Sequence, residues 1–182
     1  RKALVLSIAA GRSIKSFEKI FGKKQPVVRA MPNLPASIHL GITAAVPNKS
    51  VSASQKKLVT RLLESAGLVE WINNEKLMDA VTAVSGSGPA YVFYLIEVLT
   101  EAGRKAGLPK DLAQRLAQQT VSGSAVLVAL EDQTEIAELR KNVTSPGGTT
   151  EAALKILMDG RVQKLFDAVI SAAKNRSREL SA

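Results

Sequence analysis

The sequence predicts an α/β region followed by an all-α region, with the change near residue 74. Three observations carry this reading. Short apolar runs alternate with amphipathic segments over roughly the first 70 residues, which is the mark of an α/β sheet. Helical periodicity then persists almost to the end, broken only by Gly, Pro and Ser. A composition of 46% hydrophobic and 23% charged residues is that of a folded chain, not a disordered one. The expected domains are 1–74 and 75–182, with no internal repeat and no low-complexity segment.

The first strand is expected over Ala3–Ile8, running into a turn at Gly11. The opening Arg-Lys-Ala-Leu-Val-Leu-Ser-Ile-Ala-Ala-Gly imitates a signal peptide, but its apolar core is at the short limit. A buried strand reads better, and the chain is expected to start in the middle of a fold. Ser13 is a plausible N-cap for a helix that places Ile14, Phe17 and Ile20/Phe21 on one face and stops at Gly22. Val27–Met31 is a second strand, ended by Pro32-Asn33-Leu34-Pro35, and Gly41–Val46 a third, closed by Pro47-Asn48. Ser52 or Ser54 caps a helix through Ala66, with Gly67 at C′, and Leu68–Ile72 is the last strand.

Beyond Asn74, Glu75–Val84 reads as one helix. Pro89 starts Ala90–Ala106, stopped by Gly107. Apolar residues surround most of Ala90–Leu99, so this helix is expected to be buried on all sides, against a second copy of the chain. Pro109 starts a long helix through Leu130, with Ser122-Gly123-Ser124 as a small-residue contact point. Thr134–Asn142, Thr150–Met158 and Arg161–Leu180 complete the series.

Composition excludes several chemistries. With no Cys there is no disulfide, thiolate zinc site or cysteine nucleophile, which is compatible with a cytoplasmic protein. The single histidine, His39, sits in a Pro-bounded stretch and is assigned a surface role. No Asp/Glu/His cluster has metal spacing, and no metal is expected. No run approaches the roughly 20 apolar residues that span a membrane. The net charge of +9 is uneven: eight basic residues and one acid, Glu18, lie between Arg1 and Arg29. These residues do not share a helical face and no recognition motif accompanies them. With aromatics at 4%, a nucleic-acid partner is not expected.

Side-chain chemistry is therefore thin, which points to a borrowed reactant such as a nicotinamide cofactor. Two Gly-rich segments stand out. Ser85-Gly86-Ser87-Gly88-Pro89 runs straight into a helix start, suiting either an anion or a tight helix–helix connection. Thr144-Ser145-Pro146-Gly147-Gly148-Thr149-Thr150-Glu151 combines a Pro-fixed turn, two glycines, two hydroxyls and a helix start. It suits a small carboxylate, or else forms an elaborate N-cap with Thr149 or Thr150 as the capping residue.

At these segments the sequence resembles the pyrroline-5-carboxylate reductases. The matching stretches are Ser-Ile-Ala-Ala-Gly at 7–11, Val-Val-Arg-Ala-Met-Pro-Asn-Leu-Pro at 27–35 and Asp-Ala-Val-Thr-Ala-Val-Ser-Gly-Ser-Gly-Pro-Ala-Tyr at 79–91. Ala-Gly-Leu-Pro at 106–109, Leu-Arg-Lys-Asn-Val-Thr-Ser-Pro-Gly-Gly-Thr-Thr at 139–150 and Arg-Ser-Arg-Glu-Leu at 176–180 continue it in order. The resemblance implies the C-terminal portion of a Rossmann-type NAD(P)-binding domain followed by a helical dimerisation domain. It also implies reduction of 1-pyrroline-5-carboxylate to L-proline with NADPH or NADH, in a homodimer or an oligomer of dimers. By position, Thr150 matches the hydroxyl that holds the ring nitrogen, and Gly147, Gly148 and Thr149 match the carboxylate cradle. Asp132 matches a nearby acid of the substrate site. Ile8, Ala9 and Ala10 match the nicotinamide side of the cofactor site, with Asn142 close by.

The departure is at the front. A Rossmann domain begins with a strand and Gly-x-Gly-x-x-Gly, and no such segment occurs in these 182 residues. Weak or no dinucleotide binding by this chain alone is expected, as is an exposed sheet edge that favours aggregation or partial disorder of residues 1–70. Two alternatives stay open: a non-catalytic helical dimerisation module, and another Rossmann dehydrogenase of the β-hydroxyacid type. The latter needs a lysine on the buried helix, where Glu97 and Glu101 stand instead.

Overall fold

The computed structural model describes residues 3–181; Arg1 and Lys2 of the basic stretch, and Ala182, lie outside it. The described residues fall into two compact units, one comprising those up to Pro89 with those from Ala168 onward, the other Ala90–Asp167.

The first unit is built on a four-stranded sheet, β1 (Val5–Ser7), β2 (Val27–Met31), β3 (Gly41–Pro47) and β4 (Gly67–Trp71), in that spatial order. β1 and β2 run parallel, as do β3 and β4, whereas β2 and β3 run antiparallel. The connections explain the mixture. α1 (Ile14–Phe21) and α2 (Ala53–Glu64) carry the two crossovers that parallel pairs need. Between β2 and β3 there is only the short 3-10 turn Leu34–Ile38, too little chain for a crossover.

Both faces of the sheet are covered. Val27, Met31 and Val46 pack with Ile14 of α1 and with Met78. On the other face, Val28, Ala30 and Ala45 pack with Val59 of α2. β2 is therefore buried at every position, and its near-continuous apolar sequence follows from being covered twice. Ser13 caps α1 by accepting from the Ser16 amide, and Ser52 closes a capping box with Gln55 on α2. Trp71 ties β4 to α2: its Nε1–H donates to Thr60 Oγ1 at 3.0 Å, and Lys56 Nζ lies 4.6 Å above the ring. His39 ends the 3-10 turn in the left-handed region at φ 61°, and its Nδ1 donates to the Ser65 carbonyl at 2.6 Å. Its role is structural.

Several local expectations are corrected. α2 stops at Glu64, and Gly67 opens β4 instead of ending the helix. At φ +134°, with Gly41 backbone 2.0 Å from where a Cβ would stand, only glycine fits there. Glu75–Val84 is not one helix but a 3-10 turn (Glu75–Leu77), α3 (Met78–Val81) and a π-helical turn (Thr82–Gly86). That π turn carries the chain through the first Gly-rich segment: Ser87 N–H donates to Thr82 O at 2.8 Å. Ser85–Pro89 is thus part of a helical path, not an open anion-binding turn. The helix that follows begins at Gly88, ahead of Pro89.

The second unit holds most of α4 (Gly88–Lys105), α5 (Lys110–Leu130), α6 (Ile136–Asn142), α7 (Thr149–Leu157) and the start of α8 (Arg161–Ser181). α4 and α5 approach closely at Gly103, where an added Cβ would meet Ala113 Cβ and Leu108 Cδ1 at 3.3 Å. This is a small-residue contact within the single chain, where Ser122-Gly123-Ser124 are exposed. Within the single chain α4 buries none of its residues, and Phe93 and Tyr94 are 51% and 66% exposed, so the burial expected of this helix is left to a second copy.

Candidate functional site

The residues singled out in the sequence occupy two places, one in each unit. In the first unit, β1 ends at the buried Ser7, whose Oγ accepts the Ala9 N–H at 3.3 Å. Ile8, Ala9 and Ala10 follow as an exposed apolar shelf. Gly11 turns the chain at φ +68°, and a Cβ there would lie 2.5 Å from the Leu180 carbonyl oxygen of α8. The chain then enters α1, and the Ile14 N–H donates to Glu75 Oε1 at 2.8 Å.

Arg29 of β2 donates to the same oxygen through NH1 at 2.9 Å. Its side chain is only 4% exposed, and Nε and the other terminal nitrogen have no acceptor among the described residues. Sequence reasoning missed this pair. The signal was present: an arginine inside Val-Val-Arg-Ala-Met must be buried with the strand, and a buried guanidinium needs an anion.

In the second unit, α6 ends at Asn142 and a turn leads into α7. Thr144 Oγ1 donates to Arg140 O at 2.6 Å, and Gly148 N–H donates to Ser145 O at 3.0 Å. Gly147 adopts φ +71°. Gly148 is the N-cap residue, so neither Thr149 nor Thr150 caps α7; both lie in its first turn. The Gly147 N–H donates to Glu151 Oε2 at 2.6 Å, while Glu151 Oε1 pairs with Lys155 at 3.3 Å. A carboxylate therefore already sits on this turn, and it is the chain's own.

Thr150 is half-buried, and no partner of its hydroxyl occurs among the described residues. The first amides of α7, those of Thr149 and Thr150 among them, have no intrahelical acceptor and lie at the positive end of the helix dipole. Asp132 and Asn142 are exposed, and among the described residues no hydrogen bond joins either to this turn.

Two hollows elsewhere contain no candidate residue. A groove of about 450 Å³ between α4 and α5 is lined by Phe93, Glu97, Glu101, Arg104 and Lys110 among others. A cleft of about 340 Å³ lies beside Lys49, Lys56 and Trp71. Among the described residues no three His, Cys, Asp or Glu gather as a metal site, and no helix is long and apolar enough to cross a membrane.

Residues 75–180 match the family model described as pyrroline-5-carboxylate reductase dimerisation. The pyrroline-5-carboxylate reductase of Pseudomonas aeruginosa is 46% identical over 178 residues, which is 98% of this chain and 65% of that protein. That of Synechocystis is 43% identical over 98% of this chain and 66% of its own length. Among solved structures, a pyrroline-5-carboxylate reductase from Coxiella burnetii superposes with a TM-score of 0.94 at 44% identity, covering all of this chain and 67% of that one. A Plasmodium falciparum pyrroline carboxylate reductase with NADP bound gives 0.85 at 35% identity, over 98% of this chain and 68% of its own. The chain thus spans about two thirds of the length of the curated relatives it matches.

Proposed function

The chain belongs to the pyrroline-5-carboxylate reductase family, and from that premise we propose that it forms the substrate-binding and self-associating part of an enzyme reducing 1-pyrroline-5-carboxylate to L-proline with NADPH or NADH. The observation that carries the reading is the carboxylate on the turn ahead of α7. Glu151 Oε2 lies 2.6 Å from the Gly147 nitrogen, which supports reading this turn as a carboxylate receptor, and the half-buried Thr150 hydroxyl has no partner among the described residues. A substrate carboxylate takes the place of Glu151 and gains the amides of the Gly147–Thr149 segment. Thr150 then holds the ring nitrogen.

Ile8, Ala9 and Ala10 fit one part of the cofactor, the flat nicotinamide ring, because small apolar side chains leave an exposed shelf. The phosphates have no comparable place, since the sequence holds no Gly-x-Gly-x-x-Gly. When bound, the dihydronicotinamide supplies a hydride. What the chain contributes is position: turn amides fix the carboxylate, and the Thr150 hydroxyl fixes the nitrogen. In this reading Asp132 belongs to the rim of the substrate site and Asn142 to the cofactor side. The exposed apolar side of α4 belongs to a homodimer, the arrangement that the dimerisation family implies.

The test is NAD(P)H oxidation with pyrroline-5-carboxylate, on the 182-residue chain and on the longest polypeptide that contains it. Turnover by the longer polypeptide alone is the expected result. Thr150→Ala should lower its kcat/KM about 10- to 100-fold, the worth of one hydrogen bond to a polar reacting group, with molar mass by light scattering unchanged. An unaltered kcat/KM would remove Thr150 from the site.

A further inference from the structure

We infer that Glu75, backed by Arg29, is a positioning residue for the loop between β1 and α1. The inference rests on the reading above, in which the outer face of that loop, Ile8–Ala10, receives the nicotinamide.

The loop is held at its start, middle and exit. At the start, Ser7 is the ladder neighbour of Arg29, and its hydroxyl accepts the Ala9 amide. In the middle, Gly11 lies against the Leu180 carbonyl so closely that no side chain fits between them. At the exit, the Ile14 amide belongs to the first turn of α1 and so has no acceptor in its own helix. Glu75 Oε1 supplies one at 2.8 Å from a segment 61 residues further along the chain.

Glu75 is itself constrained. It opens the 3-10 turn that follows β4, where Asn74 Oδ1 accepts the Lys76 amide. The Arg29 guanidinium, fixed on the central strand, donates to the same Oε1. The chain of dependence runs from a buried charge on β2 to a carboxylate, from the carboxylate to the first amide of α1, and from that amide to the shelf. Removing Glu75 alone has two consequences. It frees the loop exit, and it leaves a guanidinium buried without its anion, which destabilises the whole sheet. The two effects separate if both charges are removed together, because a buried pair replaced by apolar residues of similar size is often close to neutral in stability.

Hydrogen exchange on the 182-residue chain reads the loop with no cofactor present. The double variant Arg29→Met with Glu75→Leu should keep slow exchange in β2 and β3 while Ile14 and Ala9 exchange about tenfold faster. Glu75→Gln, which retains an Oε1 acceptor, should keep Ile14 slow. Wild-type exchange at Ile14 in the double variant would overturn the inference. So would loss of protection throughout the sheet in both variants, since the pair would then be a matter of stability alone. In the longest polypeptide that contains the chain, the double variant should raise KM for NAD(P)H about tenfold and leave KM for pyrroline-5-carboxylate unchanged. A faster loop with unchanged kinetics would also overturn it. Absence of turnover in the unmodified polypeptide would instead count against the functional reading, with the exchange result still standing for the loop.

Discussion

Every residue of β2 from Val27 to Met31 is buried, whereas α4, also rich in apolar residues, buries none of its residues from Gly88 to Lys105. The two segments have the same chemistry and opposite fates. β2 lies between α1 and α2, so both of its faces are covered by helices that follow it or precede it closely in the chain. In the helical unit the fully buried positions are small, Ala113 and Ala117, while Phe93, Tyr94 and Leu127 remain about half exposed or more. Apolar content therefore states a requirement for burial and says nothing of which surface meets it. Exposed apolar residues in such number on one helix are what the dimerisation family model over residues 75–180 leads one to expect.

The contrast can be tested with the intrinsic probes. Trp71, the one tryptophan, reports on the sheet, and the two tyrosines, Tyr91 and Tyr94, both lie on α4. The largest effect is expected from Phe93→Asp. It should weaken self-association about three-hundredfold or more, as loss of a central aromatic anchor to a charge does, in a light-scattering dilution series. The urea midpoint of Trp71 fluorescence should not move. If the sheet unfolds with it, the two regions are not energetically separate and the contrast fails.

Two glycines with nearly equal φ sharpen the contrast. Gly11→Ala meets both a left-handed backbone and the Leu180 carbonyl, and should cost about 3 kcal/mol by urea denaturation followed at Trp71. Gly147→Ala meets the same backbone conformation with nothing within 4 Å, and should cost about 1 kcal/mol by far-ultraviolet circular dichroism. Equal costs would mean that the α8 contact does not constrain the loop. The smallest effect is Ser52→Ala, which removes the capping box of α2 and should lower sheet stability by about 0.5 kcal/mol, again read at Trp71.

Elements whose cause is local were legible. Val27–Met31 was read with its observed limits because an apolar run between Gln-Pro and Pro-Asn admits little else. Ser13 and Gly22 delimited α1 because a cap and a stop are local hydrogen-bond and φ requirements. Gly67 was misread because glycine after a helix ordinarily ends it, and here Gly41 of the neighbouring strand is what forbids a side chain. The Ser-Gly-Ser-Gly-Pro segment suited either an anion turn or a tight helical connection, and the choice fell to the second through a π turn that nothing in the sequence announces. At the candidate site, the turn from Thr144 to Thr150 was visible from its composition. Its occupation by Glu151 was not, since the glutamate reads equally well as an ordinary first-turn acid.

By itself the sequence determined the order of elements, the two-region division of character, the family and the turn ahead of α7. These follow from periodicity, capping and motif spacing, which act over a few residues. Only the tertiary structure decided that β2 and β3 run antiparallel, that Glu75 serves Arg29 and Ile14 at once, and that the Leu180 carbonyl backs Gly11. Such pairings join residues tens of positions apart. They are selected by how buried charge and close backbone approach are accommodated in three dimensions, which no local pattern encodes.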